Sequence, residues 1–260
     1  MFGTNFFKTA LFCLASVASM AATGDLTITF KSEFKLFLKT QKSTKVHYYS
    51  EQYRRVNDES EKTDTLIDYK NLVAYQINHK KKTIGKLTMD DAVMITDAIL
   101  LKLESGEGAE IKEIEKIFGL GAGENASVEK NGAEVIVGRN CDKWKISLGK
   151  NVFEISANPN LVDPAPQTAI ENAHKMEGAI TAMIPAIGRL MEEAAKIKGI
   201  HLKSEMHIPV GPVTIRKFAE ALKIEEGAIP ASVFELPKGY KEEDLGKKIM
   251  DEINKVGKKK

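Results

Sequence analysis

With 260 residues, 43% of them hydrophobic and 28% charged, the chain has the size and composition of a globular protein of one large domain or two small ones. Its 38 basic and 36 acidic residues leave a net charge of +2, which argues against nucleic acid as a bulk electrostatic partner. No apolar run reaches about 18 residues, so no transmembrane helix is expected.

In chain order, Lys8 precedes the apolar run Thr9–Met20, which closes on Ser19-Met20-Ala21. That is the order of a secretory signal peptide, assigned here to residues 1–21, with a periplasmic destination. Phe12 stands before Cys13 where a lipid-attachment signal wants a small residue, so acylation of Cys13 is not expected. Cleavage near Ala21 or Ala22 leaves Cys141 as the one thiol of the mature chain, which excludes an internal disulfide.

Leu26–Lys39 follows with strict alternation. Leu26, Ile28, Phe30, Ser32, Phe34, Leu36 and Leu38 share one face, and the other is mostly polar. The spacing predicts one half-buried strand of roughly 45 Å, which must curve and have its apolar face covered. Short strand segments come next at Lys42–Ser50, Tyr53–Asn57, Thr65–Tyr69 and Leu72–His79, with brief links that favour an antiparallel meander. Thr88 and Asp91 fit a capping box ahead of a broadly apolar helix to about Leu103. A second short helix is predicted over Ile111–Phe118.

Strands resume at Ala126–Lys130, Glu134–Val137, Asp142–Leu148 and Asn151–Ala157, and Asn131-Gly132 reads as a hairpin turn. Gln167–Lys198 is the longest helical pattern, with Pro185 placed to kink or divide it and Gly199 placed to end it. His201–Ile208 alternates as a strand. Thr214–Glu226 fits either helix or strand, and Ser232–Leu236 reads as a last strand closed by Pro237. The organisation is a signal peptide over 1–21, a single α+β domain over 22–240, and a charged, frayed amphipathic helix and tail over 241–260.

Catalytic motifs are weak. Gly119-Leu-Gly-Ala-Gly follows a helix and lacks the lysine of a phosphate loop, so it reads as a helix terminator. Ser147-Leu-Gly-Lys150 straddles a hairpin, where an acyl-enzyme serine would need a helix. His201, Glu205 and His207 would share one strand face, but the polar one, so a solvated face is preferred to a metal site. A non-enzyme without cofactor or metal is expected.

The stretches Tyr48–Asn57, Leu66-Ile-Asp68, Tyr75–Thr83, Gly138–Trp144 and Ile229–Tyr240 resemble a family of exported bacterial proteins of unknown function. That family is similar in fold to the periplasmic lipoprotein carriers of the LolA and LolB type. The resemblance implies an α+β fold: an open antiparallel β half-barrel with helices covering the concave face. It favours strand for Thr214–Glu226, and implies that Arg55 points toward the covering helices. It also implies a hydrophobic ligand, a lipid or acyl chain, held between sheet and helices. The walls of such a groove would be Ile28, Phe30, Phe34 and Leu36 from the apolar face of Leu26–Leu38 and Met94, Leu101, Met183 and Ile187 from the helices Asp90–Leu103 and Gln167–Lys198, with Arg55 beside them as a ligand-binding residue. A monomer is expected, with the lysine-rich end a candidate for contact with an anionic membrane surface. The rival reading is a structural or protein-interaction module whose helices simply fill the half-barrel.

Overall fold

The structure is a computed structural model that describes residues 24–36, 39–105, 125–181, 185–210 and 213–255. The expected signal peptide, the helix over Ile111–Phe118 and the glycine cluster at Gly119 lie outside the described residues.

Two runs of strands build the sheet. The first is β1 (Leu26–Leu36), β2 (Lys39–Tyr49), β3 (Tyr53–Asp58), β4 (Thr63–Asp68), β5 (Val73–Asn78) and β6 (Thr83–Thr88). After helix α1 (Met89–Ser105) comes the second, with β7 (Ser127–Ile136), β8 (Arg139–Leu148) and β9 (Asn151–Asn158). Helices α2 (Gln167–Thr181) and α3 (Pro185–Ala195) then lead to β10 (Ile200–Val210) and β11 (Val213–Glu226). A 3-10 helix (Ala231–Phe234), β12 (Lys241–Asp244) and α4 (Leu245–Lys255) follow. Among the described residues the strands form one 12-stranded sheet in the order β12-β6-β5-β4-β3-β2-β1-β11-β10-β9-β8-β7. Neighbours are antiparallel except β12, which runs parallel to β6. The fold is an α+β open half-barrel with helices on its concave face. Thr214–Glu226 is strand, paired with β1 on one side and β10 on the other.

Two apolar clusters fix the helices. Ile67, Ala74 and Leu87 of the first run pack against Ile95 and Ile99 of α1, Met176 of α2 and Ile253 of α4. Ile146, Leu148, Phe153 and Ile155 of the second run pack against Leu190 and Ala194 of α3. Each fully buried side chain of this size contributes about 1.5–3 kcal/mol of transfer free energy. The start of α1 is the predicted capping box: the Asp91 amide donates to Thr88 Oγ1 at 3.1 Å, and the Thr88 amide donates to Asp91 Oδ2 at 2.8 Å. Pro185 divides the long helical pattern by becoming the first residue of α3, where its missing N–H costs no internal hydrogen bond.

Three loops of the first run repeat one design. Asp58, Asp68 and Asn78 each accept a hydrogen bond from the amide three residues on, those of Glu61, Asn71 and Lys81, at 3.1, 2.9 and 2.9 Å. The next residue in each loop, Lys62, Leu72 or Lys82, takes a left-handed conformation with φ of 58, 51 and 52°. These side-chain turns set the hairpin register of β3 to β6.

Four sequence expectations are corrected. Leu26–Lys39 is not one strand: Leu36 pairs with Lys39, so β1 turns back on itself into β2, with residues 37 and 38 outside the described set. Asn131-Gly132 makes no hairpin. It is a bulge within β7, both flanks pairing with β8, and Gly132 at φ 95° absorbs the extra residue. Ser232–Leu236 is no strand, because Pro230 leads into a 3-10 turn in which the Val233 amide donates to the Pro230 carbonyl. The C-terminal helix begins at Leu245 after a paired strand, and packs against α1 and β6 through buried Ile253 and partly buried Leu245, Ile249 and Met250. Residues 256–260 lie outside the described set.

Candidate functional site

Between the two helix-covered clusters, the concave face is formed by β2, β1, β11 and β10. Register places its residues in rows that cross the strands. Lys45 pairs with Phe30 and Phe30 with Ala221. The next row is Ser43, Ser32, Ala219 and Ser204. The third is Gln41, Phe34, Lys217 and Met206. Small side chains therefore form a low band between a Phe30 row and a Phe34 row. His47 lies tilted against Phe30 with ring centroids 4.6 Å apart, and its Nδ1 lies 3.2 Å from the Tyr49 hydroxyl.

The predicted wall residues divide over this frame. Ile28 and Phe30 are buried with Leu26, Tyr49 and Leu202 in a third cluster. Phe34 is 40% exposed on the concave face. Leu36 closes β1, and its side chain is not among those described. Ile187, on α3, packs partly buried against the cluster of the second strand run. Met94 and Leu101 are 47% and 67% exposed on α1, apart from the Ile95 and Ile99 face that meets the sheet. Met183 lies outside the described residues.

Arg55 corrects the resemblance-based expectation. It occupies the convex face, not the helix face. Its Nη1 donates to the carbonyls of Val233 at 2.6 Å and Glu235 at 3.1 Å, and its Nε to Asp64 Oδ2 at 3.1 Å. His79 Nε2 reaches the same Asp64 oxygen at 3.0 Å, and the other His79 nitrogen lies 2.9 Å from the Tyr240 hydroxyl. Asp64 is almost wholly buried, so this network ties the segment from Val233 to Tyr240 onto the sheet. Tyr53 stacking on Phe234 at 5.3 Å completes the strap. A polar cavity of about 450 Å³ lies beside it, lined by Asn57, Asp58, Glu59, Lys62, Asp64 and His79.

The neighbour, Arg54, faces the helices instead and forms an ion pair with Glu177 of α2. Tyr69 donates to Asp163 at 3.2 Å nearby, and burial raises the pKa of both groups. Arg54, Lys45 and Lys217 are thus cations on the concave face, as is Lys39 at the hairpin end of β2. Lys45 meets Asp58 at 3.2 Å and Arg54 meets Glu177, whereas Lys217 has no carboxylate partner among the described residues. Its side chain touches solvent, yet the surrounding walls, and then the Lys45 charge, hold its pKa below the ordinary lysine value.

His201, Glu205 and His207 do not share a face. A bulge between His201 and Lys203 pairs His201 with Ala157 on the concave side, while Glu205 and His207 lie on the convex side, 2.7 Å apart. Among the described residues no set of three His, Cys, Asp or Glu side chains converges as metal ligands. Burial, reinforced by Arg54, Lys45 and Lys217, pulls the His47 pKa from 6.5 to about 3, and burial pulls that of His201 to about 4. Between pH 6.5 and those values only the unfolded chain binds the protons. Stability is therefore full above pH 6.5 and falls on acidification, levelling near pH 4 for His201 and pH 3 for His47. The slope reaches about 1.4 kcal/mol per pH unit for each ring. Urea unfolding should show a lower midpoint at pH 5 than at pH 7, and His47→Gln should shrink that gap. An unchanged gap would remove His47 from this account.

Together these features define an open α+β half-barrel, strapped on its convex side and bearing a mixed apolar and cationic band on its concave side. The chain belongs to the family described as a domain of unknown function, DUF4412, which matches residues 109–240. No curated protein matches it. Several solved structures are similar in fold, among them the following three. PNGF-II has a TM-score of 0.42 and 13% identity over 90% of this chain, which spans only 33% of PNGF-II. An uncharacterized conserved protein from Thermus thermophilus has a TM-score of 0.44 and 7% identity, covering 85% of this chain and 91% of that one. A putative outer membrane lipoprotein-sorting protein domain from Vibrio parahaemolyticus has a TM-score of 0.33 and 7% identity, covering 83% and 92%.

Proposed function

We propose that this protein is an exported, non-enzymatic binder of a hydrophobic ligand, a lipid or acyl chain, held on the concave face between the half-barrel and its helices. The observation that carries the reading is Phe34, a large apolar side chain 40% exposed on the covered side of the sheet, next to a band of small residues. A chain laid there would bury apolar surface worth about 25 cal/mol per Å² before association costs. Export rests on the order of Lys8, Thr9–Met20 and Ala21 in the sequence.

The test uses mature protein from the periplasmic fraction of the native host, whose N terminus should lie at Ala22 or Thr23. It should take up a fluorescent fatty acid, and Phe34→Ala should weaken uptake while costing less than about 2 kcal/mol of stability. A packed core phenylalanine would cost about 3–5 kcal/mol. No uptake by the wild type, with the full core cost in the variant, would make the helices a plug and the protein a structural module.

A further inference from the structure

The concave band distinguishes the two ends of an amphiphile. Ser43, Ser32, Ala219 and Ser204 lie side by side across β2, β1, β11 and β10. Four strands span roughly 14 Å, and Phe30 and Phe34 stand about 13 Å apart along β1 on either side of the band. That is room for one extended hydrocarbon chain, with aromatic walls and a floor of small groups. A row of small residues is not by itself a binding site, but two polar groups here lack partners. Ser32 is 7% exposed, lies in the floor, and its hydroxyl has no hydrogen-bond partner among the described residues. Lys217 stands at the Phe34 border of the band as a cation with no carboxylate beside it among the described residues. Lys45 and Arg54 have their own carboxylates in Asp58 and Glu177, and Lys39, the other concave cation without one among the described residues, lies beyond the Phe34 row at the hairpin end of β2, so at the band itself the uncompensated positive charge is that of Lys217.

We infer that the ligand is a single-chain amphiphile with an anionic head: the chain lies across the band between Phe30 and Phe34, and the head is held by Lys217 and accepts from the Ser32 hydroxyl, with Lys45 adding to the field. This rests on the hydrophobic-ligand reading above and specifies which ligands satisfy it. A neutral chain of the same length would fill the band and leave the lysine unpaired. An anion gives that lysine a charge-assisted hydrogen bond, which a neutral head cannot match. A carboxylate or a phosphate would serve the lysine equally.

Binding of oleate, oleoyl lysophosphatidate and oleyl alcohol to the full mature protein tests this by calorimetry. Both anions should bind about tenfold or more tightly than the alcohol, and the tighter anion identifies the head as carboxylate or phosphate. Lys217→Gln, at an exposed position, should erase that preference by weakening the two anions to the level of the alcohol. Ala219→Leu should weaken all three by raising the floor of the band. Equal affinity for anions and alcohol, unaltered by Lys217→Gln, would overturn the inference while leaving a hydrophobic binder. Failure of every amphiphile to bind would overturn the hydrophobic-ligand reading and this inference with it.

Discussion

Asp64→Ala should lower the stability of the protein by about 3–5 kcal/mol, because it leaves a buried guanidinium without its counter-ion. Arg55 is only 11% exposed and Asp64 1%, and the carboxylate also receives His79. Two carbonyl acceptors, those of Val233 and Glu235, would remain for Arg55, but they carry no compensating charge. The strap over β3 to β6 should loosen first, since Phe234 and Tyr240 are anchored by the same network. Urea unfolding followed by far-UV circular dichroism gives the loss, and limited proteolysis near Val233 reports the strap. The double substitution Arg55→Leu with Asp64→Leu should be milder than Asp64→Ala alone, because it removes both charges together. A loss below about 1 kcal/mol for Asp64→Ala would mean that water solvates Arg55 and that the network is not a clasp.

Gly199→Ala should be as damaging. Gly199 joins the end of the α3 region to β10 at φ 93°, and a Cβ there would lie 2.0 Å from the carbonyl oxygen of Asn158 and 2.8 Å from the Cα of Pro159. The colliding atoms are backbone, so no side chain can swing away. Left-handed strain and overpacking of about 1–3 kcal/mol each add to an expected loss of roughly 2–6 kcal/mol. The pairing of Ile200 with Asn158 would be displaced, and with it the bulge that turns His201 inward. Thermal unfolding measures the effect. A variant that melts like the wild type would show that the approach of the two chains is looser than 2.0 Å implies.

What is legible in the sequence follows the physics that is local. The Thr88 capping box, the division at Pro185 and the short strands from Tyr53 to Asn78 depend on neighbours a few residues away, and each is present. Side-chain direction is not legible in β3, because both faces of β3 to β5 are covered: Ile67 and Ala74 meet helices, while Leu66 and Ile77 meet the strap. Alternation names two faces but cannot rank them when both are apolar, so the resemblance places the inward arginine one residue late, at 55 instead of 54. Bulges hide two more features. Asn131-Gly132 has hairpin chemistry, yet the pairing partner of both flanks is one strand, which is a long-range fact. The bulge at His201 breaks the parity that groups it with Glu205 and His207 in the sequence. One local signal is available and unused in that reading: Asp58, Asp68 and Asn78 recur every ten residues, each opening the same side-chain turn. The cationic band needs register itself, since Lys45, Arg54 and Lys217 are scattered in sequence and meet only through the pairing of β3, β2, β1 and β11.

The route of residues 229–255 bears on the order in which the protein assembles. That segment crosses the convex face as the strap, rounds the sheet's margin as β12 beside β6, and enters the concave layer as α4. Phe234, Leu236 and Tyr240 cover one side of the first strand run, and Ile253 joins α1 and α2 in covering the other. These residues follow the β3–β6 meander by some 150 positions, so during synthesis the meander, its concave side already met by α1, waits with its convex apolar side and its outer hydrogen-bonding margin bare. The most local part of the fold is thereby made dependent on the most distant partner, a contact order that delays completion until the last segment arrives. A chain held unfolded until synthesis ends would meet its own closing segment in the same event, which is the condition under which an exported polypeptide folds after translocation.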